Sequence, residues 1–137
     1  MKPRALPGAI ALASLLTFGA SGALAQDIFT GAFPQKTGEE VYKGICQGCH
    51  MPDAKGAIGA GAYPALAGDT KLQGSAYPAM VIIRGQKAMP SFGSNLGDDQ
   101  IAGVVNYIRS NFGNHYTDKI TPEDVKALRP AKPPSEE

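Results

Sequence analysis

The residues best equipped for chemistry stand together in Cys46-Gln47-Gly48-Cys49-His50, a C-x-x-C-H run that is the attachment signature for c-type haem. The spacing has a chemical reason. Two thiols add covalently to the two vinyl groups on one edge of a porphyrin. Three positions apart on a helical turn, they lie on nearly the same face. The next residue, His50, then sits under the iron and can ligate it. A bare redox pair would need a βαβ context, which this chain lacks. A structural zinc site would need four ligands. His115 is the only other histidine and there are no further cysteines, so a closed zinc site would have to borrow a carboxylate.

A second ligand is sought on the opposite face. Met89 precedes Pro90, which pushes it toward an extended conformation, and it lies in a loop far enough along the chain from His50 to reach across. Its competitors are weaker. Met80 falls on a helical apolar stripe and reads as core filler. Met51 adjoins His50 and cannot reach the other side. His115 follows a helix end in a polar segment. A thioether ligand would raise the iron potential relative to harder ligands. A ligating histidine normally donates its other ring N–H to a carbonyl. In Tyr63-Pro64-Ala65-Leu66-Ala67-Gly68 the Pro64 carbonyl is the candidate acceptor, although Pro64 could equally serve only to shape a turn.

Helices must position these groups. Thr37-Gly38-Glu39-Glu40 matches a capping box, with Thr37 as N-cap, and Val41, Tyr42 and Ile45 carry an apolar stripe into Cys46. Residues 51–74 lose periodicity and are dense in glycine, which predicts loop with little regular structure. Ser75 is the expected cap of a second helix that carries Pro78 in its first turn and stops at Gly85. A third helix is expected from Gly97. Leu96 and Ile101 form a staple, Asp98 and Asp99 favour its start, and Ile101, Val104, Val105, Ile108 and Phe112 form one face before Gly113-Asn114 closes it. Thr121-Pro122-Glu123-Asp124 starts a short tail helix, docked by Val125 and Leu128 and ended at Arg129-Pro130, after which residues 131–137 read as disordered.

The N-terminus reads as an export signal. Lys2 and Arg4 precede an apolar stretch that ends in Ala23-Leu24-Ala25, an A-x-A cleavage site. The apolar part is interrupted by glycine, serine and proline and is short for a bilayer span. Cleavage after Ala25 would leave 11 basic and 12 acidic residues, a net charge of −1, with no nucleic-acid footprint and no intrinsic membrane span. What remains is one small domain with a modest core. The chain has no tryptophan and 17 glycines, consistent with packing close around a flat cofactor.

With these residues on the page, the chain resembles the class I, monohaem cytochrome c family over about residues 37–113. Cys46, Cys49 and His50 match the attachment motif. Pro64, Leu66 and Gly68 match the loop that supplies the carbonyl to the histidine and an aliphatic contact to the ring. Met89-Pro90 matches the distal ligand loop. Gly38 and Tyr42, with Val104 and Tyr107, match the crossing of the first and last helices. Gly97 departs from the family's usual Ser or Thr cap, a loss of only tenths of a kcal/mol.

The resemblance implies an all-α small cytochrome c fold, with three main helices and loops wrapped around one covalently bound haem c, here followed by a short extra C-terminal helix. It implies cofactor contacts at Cys46, Cys49, Pro64 and Leu66 and iron ligation by His50 and Met89. Haem attachment in this family is completed outside the cytoplasm, which fits a periplasmic protein. The expected organisation is signal peptide 1–25, irregular lead-in 26–36, cytochrome domain 37–113 and C-terminal extension 114–137.

Gly59 to Gly68 and Lys87 to Gly93 further resemble haem domains of cytochrome subunits that serve bacterial periplasmic dehydrogenases. The function implied is one-electron transfer from such a dehydrogenase to a respiratory oxidase or another cytochrome, without substrate or bond making. Lys55, Lys71, Arg84 and Lys87 against Asp53 and Asp69 give residues 46–96 a balance of +2, either a lightly basic docking face or ordinary solvated surface. The alternatives are a haem protein with a labile sixth site, acting as sensor or peroxidase-like enzyme, and a zinc-stabilised binding module.

Overall fold

A computed structural model describes residues 33–59 and 61–131. The expected signal peptide, lead-in residues 26–32 and tail residues 132–137 lie outside the described residues. The first helix, α1, begins as Gly38–Val41, widens into a π-helical turn over Tyr42–Cys46 and returns to α geometry over Gln47–His50. Its start is the expected capping box. Glu40 N–H donates to Thr37 Oγ1 at 3.2 Å, and Thr37 N–H donates back to Glu40 Oε2 at 3.1 Å. α2 spans Ala76–Arg84, α3 spans Asp98–Ser110 and α4 spans Pro122–Leu128. The described chain is thus all-α in class, with three main helices and a short extra one.

α1 crosses α3 at two glycines. A Cβ on Gly38 would lie 2.0 Å from Gly103 O, so the backbones meet directly. Val41, Ile101, Val104 and Val105 fill the crossing and are essentially inaccessible to water. Each such side chain contributes about 1.5–3 kcal/mol by leaving water. The rings of Tyr42, Tyr107 and Phe112 pack beside them, with centroids 4.8–5.7 Å apart.

Three local expectations are corrected. The Ser75 side chain makes no cap bond, because Ser75 itself is helical in φ and ψ. α3 stops at Ser110, not at Phe112. Asn111 is extended and Phe112 has φ +57°, which swings its ring onto Tyr42. Segment 51–74 is not all loop. Ala57–Ile58 (β1) pairs antiparallel with Ala62–Tyr63 (β2), with Ala57 opposite Tyr63, and Thr70–Gln73 forms a 3-10 turn capped by Asp69.

Candidate haem site

The C-x-x-C-H run straddles the end of the π turn, which holds Cys46, and the α-helical stretch Gln47–His50, so Cys46 and Cys49 stand about one turn apart. Both are free thiols, Cys46 half-buried and Cys49 exposed. Burial pushes the Cys46 thiol up to about 11, so it is neutral at pH 7. His50 is buried at the helix end. Its Nδ1 lies 2.9 Å from Pro64 O. A carbonyl only accepts, so in the neutral ring Nδ1 carries the proton and Nε2 keeps its lone pair. The donor set, two free thiols and one oriented imidazole, fits a covalently held haem.

Several bonds fix that carbonyl. Met51, at φ +67°, ends α1, and Tyr42 Oη donates to Met51 O at 2.7 Å. Burial pushes the Tyr42 phenol up to about 12. Gly56, at φ +66°, donates its N–H to His50 O at 3.1 Å. A Cβ there would lie 2.1 Å from Tyr63 O and 2.7 Å from the Pro64 carbonyl carbon. Only glycine lets the two strands of backbone close this tightly around the imidazole. Ala54 O accepts from Leu66 N–H and Ala67 N–H at 2.8 and 2.9 Å. Leu66 is half-buried against the core, and Asn114 Nδ2 donates to its carbonyl at 2.8 Å.

Met89 closes a tight turn with Gln86. Their N–H and C=O groups exchange bonds of 3.0 and 2.9 Å, with Lys87 at φ +54° between them. The loop is zipped to the end of α2. Ser91 Oγ donates to Ile83 O at 2.6 Å, and Phe92 N–H donates to Ile82 O at 2.9 Å. Gly85, at φ +73°, admits the Met89–Ser91 backbone, which a Cβ would meet at 2.7–3.0 Å. Met89 is half-buried, while Met80 on α2 is half-buried and His115 exposed. Among the described residues, no group of three or more His, Cys, Asp or Glu side chains gathers to hold a metal ion, so the zinc alternative has no closed site there.

The chain matches, over residues 34–108, the family described as cytochrome C oxidase, cbb3-type, subunit III. The chain belongs to this family of c-type cytochromes. It is 33% identical over 129 residues to the gluconate 2-dehydrogenase cytochrome c subunit of Pantoea cypripedii, an alignment covering 85% of this chain and 29% of that protein. It is 32% identical over 105 residues to the alcohol dehydrogenase (quinone) cytochrome c subunit of Gluconobacter oxydans, covering 67% of this chain and 22% of the relative. The cytochrome therefore spans less than a third of the length of these two relatives. Against cytochrome c6 of Diacronema lutheri it is 31% identical over 78 residues, 56% of this chain and 94% of that one. As a family member, the cytochrome binds haem c covalently and carries electrons. Among the described residues, four helices and one tiny hairpin make up the small cytochrome c fold.

Sequence reasoning missed two arginines that brace the cytochrome. Arg109 on α3 is wholly buried. Its Nε donates to Leu72 O and its Nη2 to Gln73 O, each at 2.8 Å, and the Asp118 carboxylate accepts from Nη2 at 2.8 Å. Arg109 sits four residues after Val105, on the buried side of the helix, and that spacing was the available signal. Arg129, just past α4, bonds to the segment that follows Met89.

Proposed function

We propose that this chain is a periplasmic one-electron carrier whose haem is held by thioethers at Cys46 and Cys49 and ligated by His50 Nε2 and Met89 Sδ. The observation that carries the reading is the His50 Nδ1–Pro64 O contact of 2.9 Å inside a C-x-x-C-H run, which leaves Nε2 as the free donor. The bound haem supplies reversible one-electron chemistry. The chain's own residues bind, orient and shield. Pro64 holds the imidazole plane and raises its basicity. Leu66 offers an aliphatic contact to the ring, and the Met89 turn presents a thioether that favours the reduced iron. Keeping His50 and Met89 in place in either oxidation state would keep reorganisation small.

The electron donor is proposed to be a periplasmic dehydrogenase, a reading supported by the similarity to cytochrome c subunits of gluconate and alcohol dehydrogenases. The acceptor is a respiratory oxidase or another cytochrome. The chain takes no substrate of its own. Lys55, Lys71, Arg84 and Lys87 are exposed and would steer an acidic partner in a salt-dependent way. Among the described residues no helix is long and apolar enough to cross a membrane. Residues 37–113 would form the working domain, with 1–25 removed on export.

The test is the absorption spectrum of the exported protein, oxidised and reduced. A c-type reduced spectrum with a far-red methionine–iron band in the oxidised form is expected, and Met89→Ala should abolish the band while leaving the covalent haem. A band that survives Met89→Ala, or a parent protein that lacks it, would overturn the ligand assignment.

A further inference from the structure

Beyond Asn114, the segment after α3 is fastened to the body of the protein by Asp118, Ile120 and Val125. Arg109 holds Asp118. Asn106 makes a two-bond clamp on Ile120, donating to its carbonyl at 2.9 Å and accepting from its N–H at 3.0 Å. Val125 of α4 is fully buried. Arg129, just past α4, makes a further set of bonds. The Arg129 Nε donates to Asp98 Oδ1 at 2.6 Å, Nη2 donates to Leu96 O at 2.8 Å, and Nη1 donates to Gly93 O. The ion pair is about three-quarters shielded from water on both sides, unlike the exposed pair Lys43–Glu39.

The carbonyls that Arg129 gathers belong to the run between Met89 and α3. That run is fixed from its near side by α2, through the Ile82 and Ile83 carbonyls. Its far side is fixed by Arg129. A planar fork that spans two backbone carbonyls and a carboxylate sets position as well as charge, which a flexible lysine would not.

We infer that Arg129 is a positioning residue: the C-terminal strap that it anchors holds the Met89 loop closed over the haem. This rests on the proposed ligation by Met89. The physical content is a local opening equilibrium. A foreign ligand reaches the iron only when the Met89 loop is open, so its apparent affinity scales with the open fraction. Weakening the clasp raises that fraction without touching the iron ligands themselves.

The experiment titrates imidazole into the oxidised, haem-loaded full chain, following the far-red band and the Soret shift, for the parent, Arg129→Gln, Arg129→Lys and Met89→Ala. Global stability is measured in parallel by denaturant unfolding. Imidazole should bind Arg129→Gln roughly tenfold more tightly than the parent, at the lower end of ordinary site-to-site coupling. Arg129→Lys, which keeps the charge and loses the fork, should also bind more tightly, by a smaller factor, and it gives the reading if Arg129→Gln does not fold. Imidazole affinity within twofold of the parent in the folded variants would overturn the strap's role. So would a gain in affinity that only parallels a loss of global stability. A parent without the band, or a band that persists in Met89→Ala, would overturn the ligand assignment and the strap with it. The control variant tells that failure apart from the first.

Discussion

At the scale of single residues, the site depends on backbone groups held by unusual dihedrals. Gly56 is the sharpest case, because its missing Cβ is what allows Tyr63 and Pro64 to approach His50. Gly56→Ala should destabilise the folded protein by about 1–3 kcal/mol through forced overpacking, read as a lower unfolding midpoint in denaturant. An unchanged midpoint would show that the loop can shift freely around the histidine. Much of this scale was legible beforehand. The C-x-x-C-H run stands out by residue type and spacing, and the 2.9 Å contact joins His50 and Pro64, 14 positions apart. What the two arginines grip was not legible. Besides Asp118 and Asp98, their partners are backbone carbonyls, Leu72 and Gln73 for Arg109, Gly93 and Leu96 for Arg129, and a carbonyl is present at every position, so no pattern of side chains marks which of them will be gripped.

Among the elements, the crossing of α1 and α3 decides where the attachment run sits. The two helices touch backbone to backbone at Gly38 and Gly103. Gly38→Ala should push them apart and cost about 1–3 kcal/mol, despite alanine's better helix propensity, and a neutral or stabilising result in thermal unfolding would contradict the close crossing. Helix starts were readable because their caps are local. The Thr37–Glu40 and Thr121–Asp124 boxes each close within four residues. Helix ends were harder. α3 stops early because the Phe112 ring finds Tyr42, a contact from the other end of the domain. The β1–β2 hairpin escaped notice because two-residue strands among glycines carry no alternating pattern, and only one residue in each, Ile58 and Tyr63, has strong strand character.

For the molecule as a whole, acid is the revealing perturbation. The carboxyls of Glu40, Asp53 and Asp124 are held below their usual range chiefly by backbone N–H donors, and that of Asp118 chiefly by the Arg109 guanidinium. In each case the folded value is depressed, so the unfolded chain binds protons first as pH falls. Their stabilisation is full above about pH 4–4.5, the ordinary carboxylate range, and is lost progressively below it. Unfolding midpoints should be flat near neutrality and drop below about pH 4, and Asp118→Asn should flatten part of that drop; a midpoint that rises on acidification would contradict the assignments. The bonds that Arg129 makes also order events in time. About 80 residues separate Cys49 from Arg129. At synthesis rates of roughly 5–20 residues per second, Cys46 and Cys49 leave the ribosome roughly 4–16 s before Arg129. Every newly made molecule therefore passes through an age at which both thiols have emerged and the Gly93 and Leu96 carbonyls have not yet been gripped by Arg129.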